Sequence, residues 1–266
     1  MPTEQLTIFS WGYYGWGNAT PQLLQAVDAV ETARGFEPPI FVDTRIRRSV
    51  RARGFNGSAF EKLLGTGRHK WMRSLGNKAV LDRDNRDPLA IELAEPQAAA
   101  ELFDFALSSA AQNRRLLFFC SCQWPQWDRG LCHRTEIARL LLGVADKRGL
   151  GVQVVEWPGG DPEHIDLETS PEIFSAVRKG RKTIPLKESV DLQRMAELPW
   201  GSIATLRARG EEVHRVVGPA IRQQETWALP VLATGENREV SIDECRKDGA
   251  RLRRAHRLQA ASARAG

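Results

Sequence analysis

The stretch RLLFFCSCQWPQWDRGLCHRTEIARLLLG, residues 115–143, decides how the first half of the chain folds. It begins with a continuous apolar run, which is typical of a strand buried on both faces of a parallel sheet. After a turn containing cysteine and tryptophan, apolar residues recur at helical spacing from Cys132 to Lys147, which predicts a helix. The run GVQVVEW at 151–157 predicts the next strand. A strand, a helix and a second strand in this order are the unit from which parallel sheets are built.

The residues upstream repeat this alternation of strands and helices. Thr20 and Pro21 form a favourable helix start, and Gly35 a favourable helix end. The predicted elements are strands at 6–11 and 39–45 and helices at 20–35, 58–65 and 95–112. We therefore expect an α/β domain of three layers with a mostly parallel sheet over residues 1–158.

The composition changes at PGGDPEHIDLETSP, residues 158–171, which we interpret as a linker. A short helix and several strand-like segments separated by glycine and proline follow it. These features predict a small, β-rich accessory domain over 159–240. The segment 241–266 predicts a basic helical tail.

Composition and charge limit the compartment and the partners. Apolar residues make up 42% of the chain, and no apolar run approaches the roughly 20 residues of a membrane span. With no secretory signal pattern and only four cysteines, a cytoplasmic protein with reduced thiols is expected, without a membrane partner. The net charge is +5, and five arginines lie within residues 45–54. Such clusters favour a nucleic acid, with DNA preferred, and the predicted phosphate-binding residues are Arg47, Arg48, Arg51 and Arg53. The sequence gives no indication of the oligomeric state.

Three segments reach the same edge of the predicted sheet, because ligands of open α/β folds bind beyond the carboxyl ends of the strands. Asp43 and Arg45 end one strand, and Cys120 ends another. The loop after the first strand, SWGYYGWGN at 10–18, carries four aromatic rings among its glycines. These rings are expected either to stack on a base or to fill the edge of the core. They belong to Trp11, Tyr13, Tyr14 and Trp16.

The cysteine segment allows several chemistries. Cys132 in the first helical turn is a candidate nucleophile, since the helix dipole lowers a thiol pKa there, although an inert buried cysteine is also common. His133 and Arg134 would form an anion site, or else face water. Cys120 and Cys122 would complete four potential zinc ligands, but they would need a turn between them, and the spacing differs from paired zinc knuckles. We therefore predict no metal and no cofactor, and a disulfide is expected even less.

Asp43 also has two interpretations. An aspartate two residues before an arginine is most often a structural ion pair that holds a loop. A carboxylate aimed at a ligand would instead act as a general base or stabilise positive charge on a sugar ring. The spacing alone does not separate these roles.

The pattern FVDTR, RSVRARGFNGSAFEKLLG and HKWMRSLGN, followed by LLFFCSC and CHRTEIARLL, resembles the bacterial family called domain of unknown function 488. The resemblance covers residues 6–157 and implies an α/β fold with a shared site. Its matching positions are Asp43, Arg45, Phe55, Asn56, Leu75, Gly76, Cys120, Cys132, His133 and Arg134. The chain departs from the pattern at FSWGYYGWGN, at Thr44 and at Asn77.

In the second domain, AVRKGRKTIPL at 176–186 is similar to the Gly-x-Lys-Thr element of ASCH domains, which are PUA-like β-barrels associated with nucleic acid. This resemblance implies a nucleic-acid or nucleotide surface formed by Lys179, Arg181, Lys182 and Thr183.

These observations favour an enzyme that hydrolyses a damaged or modified base from DNA, in the manner of a glycosylase. Asp43 and Cys132 are the predicted catalytic residues. The predicted substrate-binding residues are Trp11, Tyr13, Tyr14, Asn18, Arg45, Asn56, Cys120, His133 and Arg134. The alternatives are a non-catalytic nucleic-acid-binding protein and a thiol-dependent enzyme acting on a small molecule.

Overall fold

The computed structural model describes residues 5–13, 20–82, 90–122, 126–127, 130–181, 183–199, 201–223 and 226–231. The chain divides into two compact units at the boundary between Trp157 and Pro158. The predicted site residues Tyr14 and Asn18, together with Trp16, Lys182 and the predicted basic tail, lie outside the described residues.

The first unit is an α/β structure. In chain order it contains β1 (Leu6–Gly12), α1 (Thr20–Ala33), β2 (Glu37–Asp43), α2 (Ala59–Leu64), β3 (His69–Trp71), α3 (Ala99–Ala110), β4 (Arg114–Cys120), β5 (Gln126–Trp127), β6 (Gly130–Leu131), α4 (His133–Lys147) and β7 (Val152–Glu156). Five strands form one sheet in the order β3-β2-β4-β1-β7, with every neighbouring pair parallel. β5 and β6 form a separate antiparallel pair. The predicted mostly parallel α/β fold is confirmed.

Helices cover both faces of this sheet. The connection from β1 to β2 passes the position of β4, whereas the connection from β4 to β7 passes β1 in the opposite direction. Because such crossovers are right-handed, α1 and α4 lie on opposite faces. α3 packs against α4 on one face, and α1 packs on β2 and α2 on the other. This arrangement gives the three predicted layers.

The two faces have different cores because strand side chains alternate in direction. Ile8, Val42 and Phe118 point toward the helix pair α3 and α4, where they join an aliphatic cluster. Trp11, on the opposite face, is fully buried. Its ring contacts the rings of Phe41, Phe55, Phe60 and Phe119. The aromatic residue at the end of β1 therefore belongs to the core.

The second unit is small and β-rich, as predicted. It contains β8 (His164–Glu168), α5 (Pro171–Arg178), β9 (Thr183–Pro185), α6 (Leu192–Ala196), β10 (Ser202–Ala208), β11 (Glu211–Val217), β12 (Ile221–Gln223) and β13 (Thr226–Pro230). Two three-stranded sheets have the orders β11-β10-β8 and β12-β13-β9. The interpretation of 158–171 as a linker is wrong in part, because β8 lies inside it and pairs in parallel with β10.

Within the part of the chain that the structure describes, no helix has the length and apolar character needed to cross a membrane.

The burial of Trp11 predicts a large loss of stability in Trp11→Ala. Removing a fully buried aromatic side chain leaves a cavity, and we expect the free energy of unfolding to fall by about 3–5 kcal/mol. Urea denaturation measures this change. Trp71→Ala is the comparison variant, since the Trp71 side chain is 41% exposed and its removal should cost less, mainly the indole hydrogen bond to the Arg45 carbonyl. Equal losses in the two variants would contradict the assignment of Trp11 to the core.

Candidate functional site

The carboxylate of Asp43, at the end of β2, is fully buried and held by two arginines. Its Oδ1 accepts hydrogen bonds from the Arg45 backbone N–H at 3.1 Å and from Arg45 Nε at 2.8 Å. Its Oδ2 accepts from Arg45 Nη2 at 2.6 Å and from Arg48 Nε at 3.3 Å. Four donors thus occupy the carboxylate. This geometry matches the structural ion pair rather than a free general base.

Arg45 ties three segments together. Its Nη1 donates to the backbone oxygen of Phe55 at 2.8 Å and to the Tyr13 hydroxyl at 3.2 Å. Burial lowers the Arg45 pKa, but the hydrogen bonds and the charge of Asp43 outweigh that effect and raise it. Arg45 therefore stays charged and its donors face protein groups.

The ring of Tyr13 is not available as a stacking surface in this arrangement. It stacks on Phe55 with ring centroids 4.0 Å apart and is only 4% exposed. Burial raises the pKa of the Tyr13 hydroxyl despite the neighbouring Arg45. A base can stack only on an exposed ring, and the rings of Trp11 and Tyr13 both pack in the aromatic core. For these two residues the alternative interpretation, core packing, fits the structure.

The three cysteines of the decisive stretch meet where β4 ends and α4 begins. β4 ends at Cys120, the chain bends at Ser121, and the Cys122 backbone N–H donates to Cys120 Sγ at 3.3 Å. Cys132 caps α4, with its Sγ accepting from the Arg134 backbone N–H at 3.5 Å. The sulfurs of Cys120 and Cys132 are 3.4 Å apart, and all three cysteines are free thiols.

The three thiols differ in electrostatics although they are close together. Burial raises the Cys120 pKa well above its ordinary value, and hydrogen bonds to Cys122 and Cys132 add to this effect. The pKa of Cys122 rises to about 12, since its contact with Cys132 and burial outweigh the lowering by Cys120. At Cys132, burial raises the pKa, but interactions with the other two thiols and with His133 and the charge of Arg134 bring it well below normal. Of the three thiols, Cys132 is therefore the one whose pKa is lowered.

His133 lies between the thiols and the end of β2. Its Nδ1 is 3.7 Å from Cys132 Sγ. Its Nε2 is 3.2 Å from the backbone oxygen of Thr44 and 3.3 Å from the Thr44 hydroxyl. That hydroxyl itself donates to the Phe119 carbonyl at 2.9 Å. Both Thr44 groups thus accept from His133, which places the ring hydrogen on Nε2 and leaves Nδ1 facing the sulfur.

Arg134 points into the protein. It is fully buried, with Nη1 2.5 Å from Glu156 Oε1 and Nη2 donating to the Cys122 carbonyl at 3.1 Å. The hydroxyl of Ser10 donates to the other oxygen of Glu156. Burial lowers the Arg134 pKa, but the charges of Glu156 and the thiols raise it overall. The predicted anion site on His133 and Arg134 therefore has both side chains already engaged by protein groups.

Gly12 makes room for this arrangement. A Cβ atom at this position would lie 1.7 Å from the Cys122 carbonyl oxygen and 2.9 Å from Arg134 Nη2. The end of β1 can therefore approach the cysteine turn only because residue 12 is glycine.

Exposed cationic groups lie on the segments that follow β2 and β3. Arg47, Arg51 and Arg53 are exposed, and Asn56 supports their loop by accepting from the Val50 backbone N–H at 3.2 Å. We define the basic edge as Arg47, Arg51, Arg53, Arg73 and Trp71, all of which are exposed.

Trp71 connects the basic edge to the Asp43 network. Its indole N–H donates to the Arg45 carbonyl at 2.8 Å, and the Arg48 guanidinium lies 4.7 Å from its ring centroid. Arg48, predicted to bind phosphate, is mostly buried and also pairs with Glu61 and His69. Sequence reasoning missed Trp71, His69 and Glu156. The segment HKW is too short to show a strand periodicity, and Glu156 ends a strand far from its partner in the chain.

Comparisons with known protein families, curated proteins and solved structures find no match to this chain. The resemblances to the domain of unknown function 488 and to ASCH domains therefore stay predictions.

The side chain of His69 predicts a loss of stability in acid. Burial, followed by the charge of Arg48, lowers its pKa in the folded state, so the unfolded chain binds a proton more readily. Stability should therefore fall as the pH drops below the unfolded value of about 6.5. In His69→Gln this part of the slope should disappear, as measured by urea denaturation at pH 7.5 and pH 5.5. The control is His164→Gln in the second unit, and an unchanged slope in His69→Gln would contradict the assignment.

Proposed function

We propose that the α/β unit binds nucleic acid, with DNA favoured, at the basic edge. The observation that carries this proposal is the set of exposed arginines beside an exposed tryptophan at the carboxyl end of the sheet. Ligands of open α/β folds bind at that end of the strands.

The charge pattern supports this choice of ligand. Among the described residues, Arg47, Arg51, Arg53 and Arg73 have no carboxylate partner, whereas the described arginines elsewhere in the unit are paired with a carboxylate, except for Arg114, which donates to the Pro38 carbonyl. The paired ones are Arg34, Arg45, Arg48, Arg68, Arg115, Arg134, Arg139 and Arg148. Cations without internal partners are free to replace the counterions of a phosphate backbone.

Trp71 supports a nucleic acid rather than a small phosphate compound alone. An exposed indole fixed by a hydrogen bond and by Arg48 offers a flat surface on which an unpaired base can stack. In this proposal Trp71 takes the role that the sequence assigned to Trp11 and the tyrosines.

A second candidate function adds chemistry, namely hydrolysis of the glycosidic bond of a damaged or modified base. It is favoured by the link between the Asp43 strand and the cysteine cluster through Thr44 and His133. Since four donors occupy the Asp43 carboxylate, activation of water there requires Arg48 to leave it. Arg48 has other partners in Glu61, His69 and Trp71. A phosphate group of the bound DNA would be a further partner that draws Arg48 away from Asp43.

The binding proposal predicts that Arg47→Gln, Arg51→Gln and Arg53→Gln together weaken DNA binding and its salt dependence. The slope of log K against log salt should fall by about 2.7 if all three arginines contact duplex phosphates. Fluorescence anisotropy of labelled duplex and single-stranded DNA at several salt concentrations measures both effects. In addition, Trp71→Ala should weaken single-strand binding with little change in slope.

Matched controls remove the same charge or apolar surface elsewhere. The control for the arginine triple variant is Arg139→Gln, Lys147→Gln and Arg148→Gln, which lie on α4 or immediately after it. The control for Trp71→Ala is Leu150→Ala, since Leu150 is 44% exposed at the opposite edge of the sheet. The control triple variant and Leu150→Ala should bind like the wild type. Equal losses in the control and test triples would show that only net charge matters and would overturn the proposed surface.

The catalytic candidate predicts release of a free base from DNA oligonucleotides carrying normal, damaged or modified bases. Mass spectrometry of the products identifies the base. Asp43→Asn and Cys132→Ser, each checked for native circular dichroism, should abolish release. Absence of release from every oligonucleotide, with salt-sensitive binding intact, would leave the non-catalytic binding protein. Release without dependence on either residue would place the chemistry elsewhere.

A further inference from the structure

Cys120, Cys132 and His133 each bring one potential ligand atom to a common point. These three atoms all lie within 4.8 Å of one another. We propose that Cys120, Cys122, Cys132 and His133 bind one zinc ion, which fastens the end of β4 to the start of α4. This reverses the expectation of no metal and goes beyond the proposed nucleic-acid binding.

The distances are close to those of a tetrahedral zinc site. With zinc–sulfur bonds of about 2.3 Å and zinc–nitrogen bonds of about 2.0 Å, two sulfurs stand about 3.8 Å apart and a sulfur and a nitrogen about 3.6 Å apart. The observed separation of Cys132 Sγ and His133 Nδ1 is 3.7 Å. The sulfurs of Cys120 and Cys132 are 3.4 Å apart. They would have to move apart by only a few tenths of an ångström to bind the ion.

Cys122 supplies the fourth ligand. Its backbone N–H already contacts the Cys120 sulfur, which places its side chain beside the group of Cys120, Cys132 and His133; the Cys122 thiol itself is not among the three atoms that converge, so it turns toward the ion on binding. The sequence expectation against this set was that Cys120 and Cys122 would need a turn between them. The structure contains such a bend: β4 ends at Cys120, the chain bends at Ser121, and the Cys122 backbone N–H reaches the Cys120 sulfur.

The orientation of His133 is that of a metal ligand. Ligating histidines usually donate their second ring N–H to a carbonyl or carboxylate, which fixes the tautomer and the ring plane. Here Nε2 contacts the Thr44 carbonyl at 3.2 Å, and Nδ1 is left toward Cys132.

The surroundings of the sulfurs suit thiolates bound to a metal. Backbone N–H groups donate to Cys120 Sγ from Cys122 and to Cys132 Sγ from Arg134. The buried Nε of Arg134 has no hydrogen-bond partner among the described residues. A guanidinium with a spare donor, together with the N-terminus of α4, stabilises the negative charge that three thiolates bring.

The ligand types select zinc. Three sulfurs and one imidazole form a soft donor set, which disfavours magnesium and calcium. Four protein ligands fill a tetrahedron and leave no open position, so the site is structural. Arg134 already ties this turn to Glu156 of β7, Gly12 leaves room for the turn beside β1, and the ion would fix the remaining link between β4 and α4.

The first experiment measures zinc in the full chain. The protein is purified with a reductant and without chelator, incubated with zinc, desalted and analysed by plasma mass spectrometry. We expect about one zinc per chain in the wild type. Cys120→Ser, Cys122→Ser and Cys132→Ser should each lower zinc affinity by more than the roughly 100-fold that loss of an outer-shell partner produces. Cys245→Ser is the matched control, because it removes the one cysteine of the chain that the site does not use.

A second measurement on the wild type alone covers the case in which a variant fails to fold. Cobalt reconstitution should give the intense visible bands of tetrahedral Co²⁺ and a sulfur-to-cobalt charge-transfer band, both removed by added zinc. Thiol titration of the denatured protein without reductant should find all four cysteines free. Two missing thiols, indicating a disulfide, or a wild-type protein without stoichiometric zinc and without the charge-transfer band, would overturn the proposal.

Discussion

The buried ion pair of Arg134 and Glu156 is the interaction on which the carboxyl edge of the sheet depends. It joins the first turn of α4 to the end of β7, while Ser10 of β1 holds Glu156 and the Cys122 carbonyl holds Arg134. Removing either charge would leave the other unpaired in the interior, which is strongly destabilising. Because the pair fixes where α4 begins, it also fixes Cys132 and His133 against the end of β4. Gly12 is the steric condition for this packing.

The carboxyl edge of the sheet contains both buried polar networks and exposed cationic residues. Asp43 of β2 lies in register with Phe119 of β4, and Cys120 is the next residue of β4. Because successive strand residues point to opposite faces, the Asp43 network and the cysteine network lie on opposite faces of the sheet. Thr44 connects the two networks through His133. Both networks are largely buried, and most of their polar groups are engaged by protein partners. The arginines of the basic edge, by contrast, have exposed side chains without carboxylate partners among the described residues. The interior networks therefore position the edge, and the exposed cations and Trp71 are the groups that we propose meet the ligand.

The sequence predicted the parts of the fold that arise from local patterns. Continuous apolar strands predicted the α/β sheet, because burial on both faces leaves a clear signal, and apolar residues at helical spacing from Cys132 predicted α4. β8 was hidden in a segment rich in glycine, proline and charge, since an exposed strand needs few apolar residues. The fate of Trp11 and Tyr13 depended on Phe55, Phe60 and Phe119, which only the tertiary fold brings to them. Likewise the candidate ligands were visible in the sequence, but the convergence of Cys120, Cys132 and His133 depends on how the end of β4 meets the start of α4 in the tertiary fold.

The central claim is that the cysteine turn is a structural metal centre that fastens β4 to α4. The most direct measurement is the zinc K-edge X-ray absorption spectrum of the isolated wild-type protein. We predict three sulfur neighbours at about 2.3 Å and one nitrogen neighbour at about 2.0 Å. A shell of oxygen and nitrogen atoms alone would mean an adventitious ion on the surface. That result would contradict the account and leave the cluster as three packed thiols.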